Sequence, residues 1–143
     1  MTERSDAVEA AVRALRLRDR SAAEIDERLQ ARGVEPDERR EVLGTLERVG
    51  YLDDVRYAEM RAATLAARGA GDALILDDLE RRGLAAETIA AAIELLEPER
   101  ERAELIVLAR GATATTARYL ASRGFDEDVV AAAVARGGEG PVD

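Results

Sequence analysis

Four times along this chain an apolar residue is followed four positions later by glycine and then at once by another apolar residue. The four are Leu29…Gly33-Val34, Leu46…Gly50-Tyr51, Leu79…Gly83-Leu84 and Leu120…Gly124-Phe125. That spacing marks a helix stop: the glycine takes the left-handed conformation just past the helix, and the residue after it folds back on the last turn. Gly33, Gly50, Gly83 and Gly124 are therefore expected at positive φ. Weaker stops stand at Leu65…Gly69 and Val107…Gly111, and Gly137 is expected to close the last alanine-rich segment. A chain punctuated in this way can only be a series of short helices.

Helix starts fall between these stops. Ser21 followed by Glu24 forms a capping box, Pro36 and Pro98 suit the first helical position, and Asp53, Asp72 and Asp126 can each cap a helix with their carboxylates. The spacing predicts nine helices, at about 4–19, 21–32, 36–49, 53–68, 72–82, 86–96, 98–110, 113–123 and 126–136. Composition agrees. Aromatics are only 3% of residues, and the 47% hydrophobic fraction is mostly alanine and leucine rather than β-branched runs. The fold class is all-α, with no strand expected.

Grouping the helices in threes exposes a repeat. The middle helix of each group ends in Leu-x-x-Arg-Gly followed by an apolar residue, and Gly33, Gly83 and Gly124 are separated by 50 and 41 residues. This is the range of helical units that bury their faces by stacking. The expected organisation is three tandem three-helix repeats at 1–50, 51–97 and 98–136, elongated or curved, followed by a disordered tail at 137–143. The third copy is the most divergent, with Thr116 where Ile25 and Ile75 stand.

The chemical repertoire is narrow. There is no Cys and no His, which removes thiol nucleophiles, imidazole bases and the usual zinc ligands. The acidic pairs Asp53-Asp54 and Asp77-Asp78 read better as structure than as a metal or acid–base site. One carboxylate of Asp53-Asp54 is expected to cap the fourth helix, with Asp53 a candidate N-cap, while the other holds the junction between the first two repeats, and Asp77-Asp78 is expected on a solvent face near Arg81 and Arg82. Neither metal nor cofactor is expected, and the chain is read as a non-enzyme. Its apolar runs are too short to span a bilayer and its first residues lack a signal-peptide block, so a cytoplasmic protein is expected; a monomer is the oligomeric state adopted.

All 21 basic residues are arginine, against 30 acids, for a net charge of −9. Residues 1–70 hold 13 arginines against 15 acids, a net of −2, whereas residues 71–143 hold 8 against 15, a net of −7. Any polyanion contact therefore belongs to the first half. Arg13, Arg16 and Arg20 recur along one face of the first helix with Arg18 nearby, forming a candidate basic stripe. Arg56, Arg61 and Arg68 on the fourth helix form a looser set, read as solvated surface and only secondarily as interface. Tyr51 and Tyr57 flank the acidic pair. Each could be a stacking platform for a nucleic-acid base, but core packing is the reading adopted, with Tyr51 stapling the turn after Gly50 and Tyr57 closing a small core between repeats.

Two segments resemble the RecX family of regulators of the RecA recombinase. Arg20-Ser21-Ala22-Ala23-Glu24-Ile25, with Leu29 and Gly33, is similar to that family's Arg-Ser-x-x-Glu-Leu opening. Gly50 through Ala58 resembles its Gly-Tyr/Leu-Leu-Asp-Asp-x-x-Phe/Tyr-Ala signature. The likeness is strongest over residues 15–96. It implies a tandem three-helix fold, no enzymatic activity, and binding along the RecA filament on single-stranded DNA with inhibition of ATP hydrolysis and strand exchange, in DNA repair and the SOS response. Single-stranded DNA would be met through RecA or by weak direct contact. The competing reading is an independent DNA-binding helical protein. Against it, the third helices of the repeats are mixed, acidic or alanine-rich rather than lined with Arg, Asn or Gln.

Overall fold

A computed structural model describes residues 3–17 and 19–139. Among them are nine α-helices and no strand: α1 Glu3–Leu17, α2 Ala22–Ala31, α3 Pro36–Arg48, α4 Asp54–Ala67, α5 Asp72–Arg81, α6 Ala86–Glu94, α7 Glu99–Arg110, α8 Ala114–Ser122 and α9 Glu127–Glu139. None is long and apolar enough to cross a membrane.

The helices pack in threes because their apolar stripes meet in threes. Ala7, Ala11 and Ala14 of α1 face Ile25 and Leu29 of α2 and Val42 and Leu46 of α3, and Leu52 from the following turn completes that core. A second core joins Tyr57, Ala58, Ala62 and Leu65 of α4 to Ile75 and Leu79 of α5 and Ile89 and Ala92 of α6. The third joins Ala103 and Val107 of α7 to Leu120, Phe125, Val130 and Ala133. Small residues on each first helix let its backbone lie close to the other two. Every pair of helices in substantial contact belongs to one triad. The chain exposes 8979 Å², where a compact monomer of this mass exposes about 7,200 Å², as expected for three small cores in a row.

The glycine stops hold. Gly33, Gly50, Gly83 and Gly124 have φ of 82°, 83°, 78° and 86°, and Gly69 and Gly111 are positive as well. In the Gly83 cap, for example, Leu84 N donates back to Leu79 O.

Four local expectations are corrected. Helix α9 does not stop at Gly137 but runs to Glu139. Gly137 is instead a close-approach residue, since a Cβ there would lie 2.5 Å from Val107 Cγ1 of α7. Of the expected tail, residues 137–139 are thus helical, and 140–143 lie outside the described residues. Pro98 is the N-cap of α7 rather than its first residue, because the ladder opens with Arg102 N donating to Pro98 O. The cap of α5 is Gly71, with Asp72 one position inside. Finally, Tyr51 is 54% exposed, and it is Leu52, at 2%, that enters the core.

Candidate functional site

Arg13 and Arg16 stand exposed on α1. Arg20, in the following turn, is half-buried and its Nε donates to Ala14 O at 3.4 Å. Arg18 lies outside the described residues. The packing of α2 on α1 adds two arginines to this face. Arg13, Arg28 and Arg32 line one groove, floored by Ala10, Ala14, Leu29 and Ala31. Among the described residues no carboxylate lies within ion-pair distance of Arg13, Arg16, Arg28 or Arg32, whereas Arg39, Arg40, Arg61, Arg81, Arg82, Arg100, Arg102 and Arg136 each have one. An unpaired guanidinium cluster in a chain of net charge −9 is the feature best suited to meet an anionic group on a partner. Arg28 lies in the last turn of α2 and Arg32 is its C-cap. Sequence reasoning missed them because only the pairing of α1 with α2 brings them beside Arg13.

The second arginine set divides. Arg56 and Arg68 are exposed. Arg61 is not solvated surface, because its Nε and Nη2 donate to the two oxygens of Asp78 at 3.1 and 3.0 Å. Asp78 correspondingly leaves the solvent face expected for it. Its side chain is 16% exposed and also accepts from Arg82 Nε at 2.8 Å, while Asp77 stays outside and pairs with Arg81.

These groups belong to the junction between the first and second repeats. There the start of α2 sits on the end of α5. The Ser21 hydroxyl donates to Arg82 O at 2.6 Å while also accepting Glu24 N, and the Glu24 carboxylate accepts Ser21 N and approaches Arg82 at 3.6 Å. Asp53 accepts Arg56 N and caps α4; Asp54 accepts Ala22 N at 2.8 Å from across the junction. Arg82 Nη1 donates to the Tyr57 hydroxyl at 2.9 Å, and Tyr57 is 8% exposed. The hydrogen bonds from Arg61, joined by the one from Arg82, hold the Asp78 carboxyl below its ordinary value. Burial, together with nearby Glu24, pushes the Tyr57 phenol up, outweighing Arg82, which pulls it down.

The second junction repeats the first with other chemistry. Gly71 N donates to Arg123 O at 2.8 Å and Ala73 N to Gly124 O at 3.2 Å. Glu99 accepts both Asp72 N and Asp126 N, and Arg102 reaches Ala70 O and Asp72. Glycine is required at both seams. A Cβ on Gly83 would stand 2.4 Å from Ala23 Cβ, and one on Gly124 2.6 Å from Leu74 N. No group of three or more carboxylates placed to hold a metal ion occurs among the described residues.

Fold and site together define a linear helical-repeat protein with polar seams and one arginine-lined face. Comparison with known proteins gives the particular family. A family model described as RecX, second three-helix domain, matches residues 53–93, within the second repeat. The regulatory protein RecX of Chromohalobacter salexigens is 35% identical over 138 residues, covering 90% of this chain and 91% of that protein. That of Halorhodospira halophila is 32% identical, covering 94% and 91%. The crystal structure of RecX from Lactobacillus salivarius superposes with a TM-score of 0.82 at 19% identity, over 95% of this chain and 97% of that one, showing the same fold. The chain belongs to the RecX family, whose members here are named regulatory proteins rather than enzymes.

Proposed function

We propose that this protein binds the assembled RecA filament on single-stranded DNA and slows RecA's ATP hydrolysis and strand exchange, acting as a regulator of recombinational repair in the cytoplasm, without enzymatic activity of its own. The observation that carries this reading is membership of the RecX family along nearly the whole chain. The geometry favours an assembled target over a single protomer. Three repeats in a row offer three weak contacts at regular spacing, and on a periodic partner each bound repeat raises the effective concentration of the next. The charge distribution favours protein contact over naked DNA. A chain of net −9, with −7 in its second half, gains little from phosphates as a whole. The arginine face on α1 and α2 is the proposed anion-facing contact, with Arg13, Arg16, Arg28 and Arg32 available; the exposed Arg56 and Arg68 of the second repeat are a proposed secondary set, and Arg61 serves the repeat junction.

Binding titrations against the RecA–DNA filament, free RecA and naked single-stranded DNA test this. The filament is expected to bind most tightly. Replacing Arg13, Arg16 and Arg20 together by Glu is expected to weaken filament binding, and added salt to weaken it modestly. Equal affinity for naked DNA, with no effect on RecA at saturating protein, would favour an independent DNA-binding protein.

A further inference from the structure

The Leu-x-x-Arg-Gly motif occurs three times, and at two of its three positions the structure shows its use. Arg82-Gly83 and Arg123-Gly124 each receive the start of the middle helix from the preceding repeat. Their carbonyls accept Ser21 Oγ, Gly71 N and Ala73 N, and their glycines leave room for Ala23 and Leu74. Both arginine side chains also reach back across the seam, Arg82 to Glu24 at 3.6 Å and Arg123 to Arg68 O at 3.2 Å. The third copy, Arg32-Gly33, has the same cap and the same left-handed glycine. Yet it is exposed, no atom lies within 4 Å of a Cβ built on Gly33, and no donor among the described residues meets the Arg32 or Gly33 carbonyl. A groove beside it is lined by Asp6, Ala7, Arg32, Gly33, Val34 and Glu38.

The complementary half of that seam is open at the far end of the array. Counted back from its cap glycine, α8 is one residue shorter than α2 and α5, and Thr113 caps it on Thr116 N. The Ala114 and Thr115 amides remain without an acceptor among the described residues, and both residues are exposed. One end of the stack thus presents open cap carbonyls and the other an open helix start, the two parts that meet at both internal seams, through the Ser21 hydroxyl at the first and the Gly71 and Ala73 amides at the second. We propose that the protein associates end to end with further copies of itself, the start of α8 in one copy docking on Arg32-Gly33 of the next. Such a contact joins two different surfaces, so it propagates as an open row instead of closing as a symmetric dimer. It does not depend on RecA, and on a periodic partner it would set neighbouring copies in a continuous stack.

Sedimentation equilibrium of the protein alone over a wide concentration range tests the proposal. The weight-average mass should climb above 15.4 kDa without levelling at twice that value. Arg32→Glu, which blocks the cap face, and Ala114→Trp, which blocks the helix start, should each weaken association about tenfold. Mixed in equal amounts, the two variants should recover a dimer, since each keeps the face the other lost. Arg48→Glu, on the exposed end of α3, should leave association unchanged, and unfolding curves establish that every variant is folded. A constant monomer mass, a plateau at the dimer for the wild type, or no recovery on mixing would each overturn it.

Discussion

Gly33 and Gly83 have almost the same backbone conformation, yet substitution should affect them unequally. Alanine at Gly33 meets only the left-handed penalty, about 1 kcal/mol. At Gly83 the new methyl also overlaps Ala23, so Gly83→Ala should lower stability by about 2–4 kcal/mol. Urea unfolding of the two variants side by side measures the difference, and equal effects would mean that the seam is not packed as described. Asp78 supplies a second test. Its carboxyl is held below the ordinary value of 3.8, so the stability it contributes is fully present above that value and is lost as pH falls through the lower folded-state value. Tyr57 acts at the other end of the scale: its phenol is raised above 10.0, so its contribution is present below that value and disappears as pH rises through the folded-state one. Asp78→Asn should flatten the acid limb of a stability–pH profile and Tyr57→Phe the alkaline limb, each leaving the other limb in place. Residue types at caps were readable from sequence because a cap needs only local chain. The inward turn of Asp78, the exposure of Tyr51 and the close approach at Gly137 were not, because each depends on what another helix brings alongside.

The helix boundaries read from sequence lie within about two residues of those observed, except for the far end of α9, which runs on to Glu139. Short helices closed by glycine leave little freedom to slide. Where elements meet, sequence conveyed less. That a carboxylate at the start of a first helix would serve the middle helix of the preceding repeat shows only when Asp54 on Ala22 N is set beside Glu99 on Asp72 N. The two adjacent aspartates should therefore separate by element. Asp53→Ala should cost about 1 kcal/mol through the lost cap of α4. Asp54→Ala should leave α4 capped but free the Ala22 amide, so hydrogen exchange at Ala22 should accelerate while that at Arg56 is unchanged. Faster exchange at Arg56 alone in Asp54→Ala would reverse these assignments.

At the scale of the molecule, three small cores linked by polar seams make a row rather than a globule, and the row is what a periodic partner can read. The repeat was visible in the spacing of Gly33, Gly83 and Gly124. The arginine face was half visible, since α1 displays Arg13 and Arg16 in sequence while Arg28 and Arg32 join them only through packing. The proposed function rests on the row and the family together, and the direct measurement is RecA's steady-state ATP hydrolysis on single-stranded DNA, titrated with this protein. The account predicts a progressive fall that saturates, and a shift of the titration to higher protein when Arg13, Arg16 and Arg20 are replaced by Glu. An unchanged hydrolysis rate at protein concentrations that saturate the filament would contradict it.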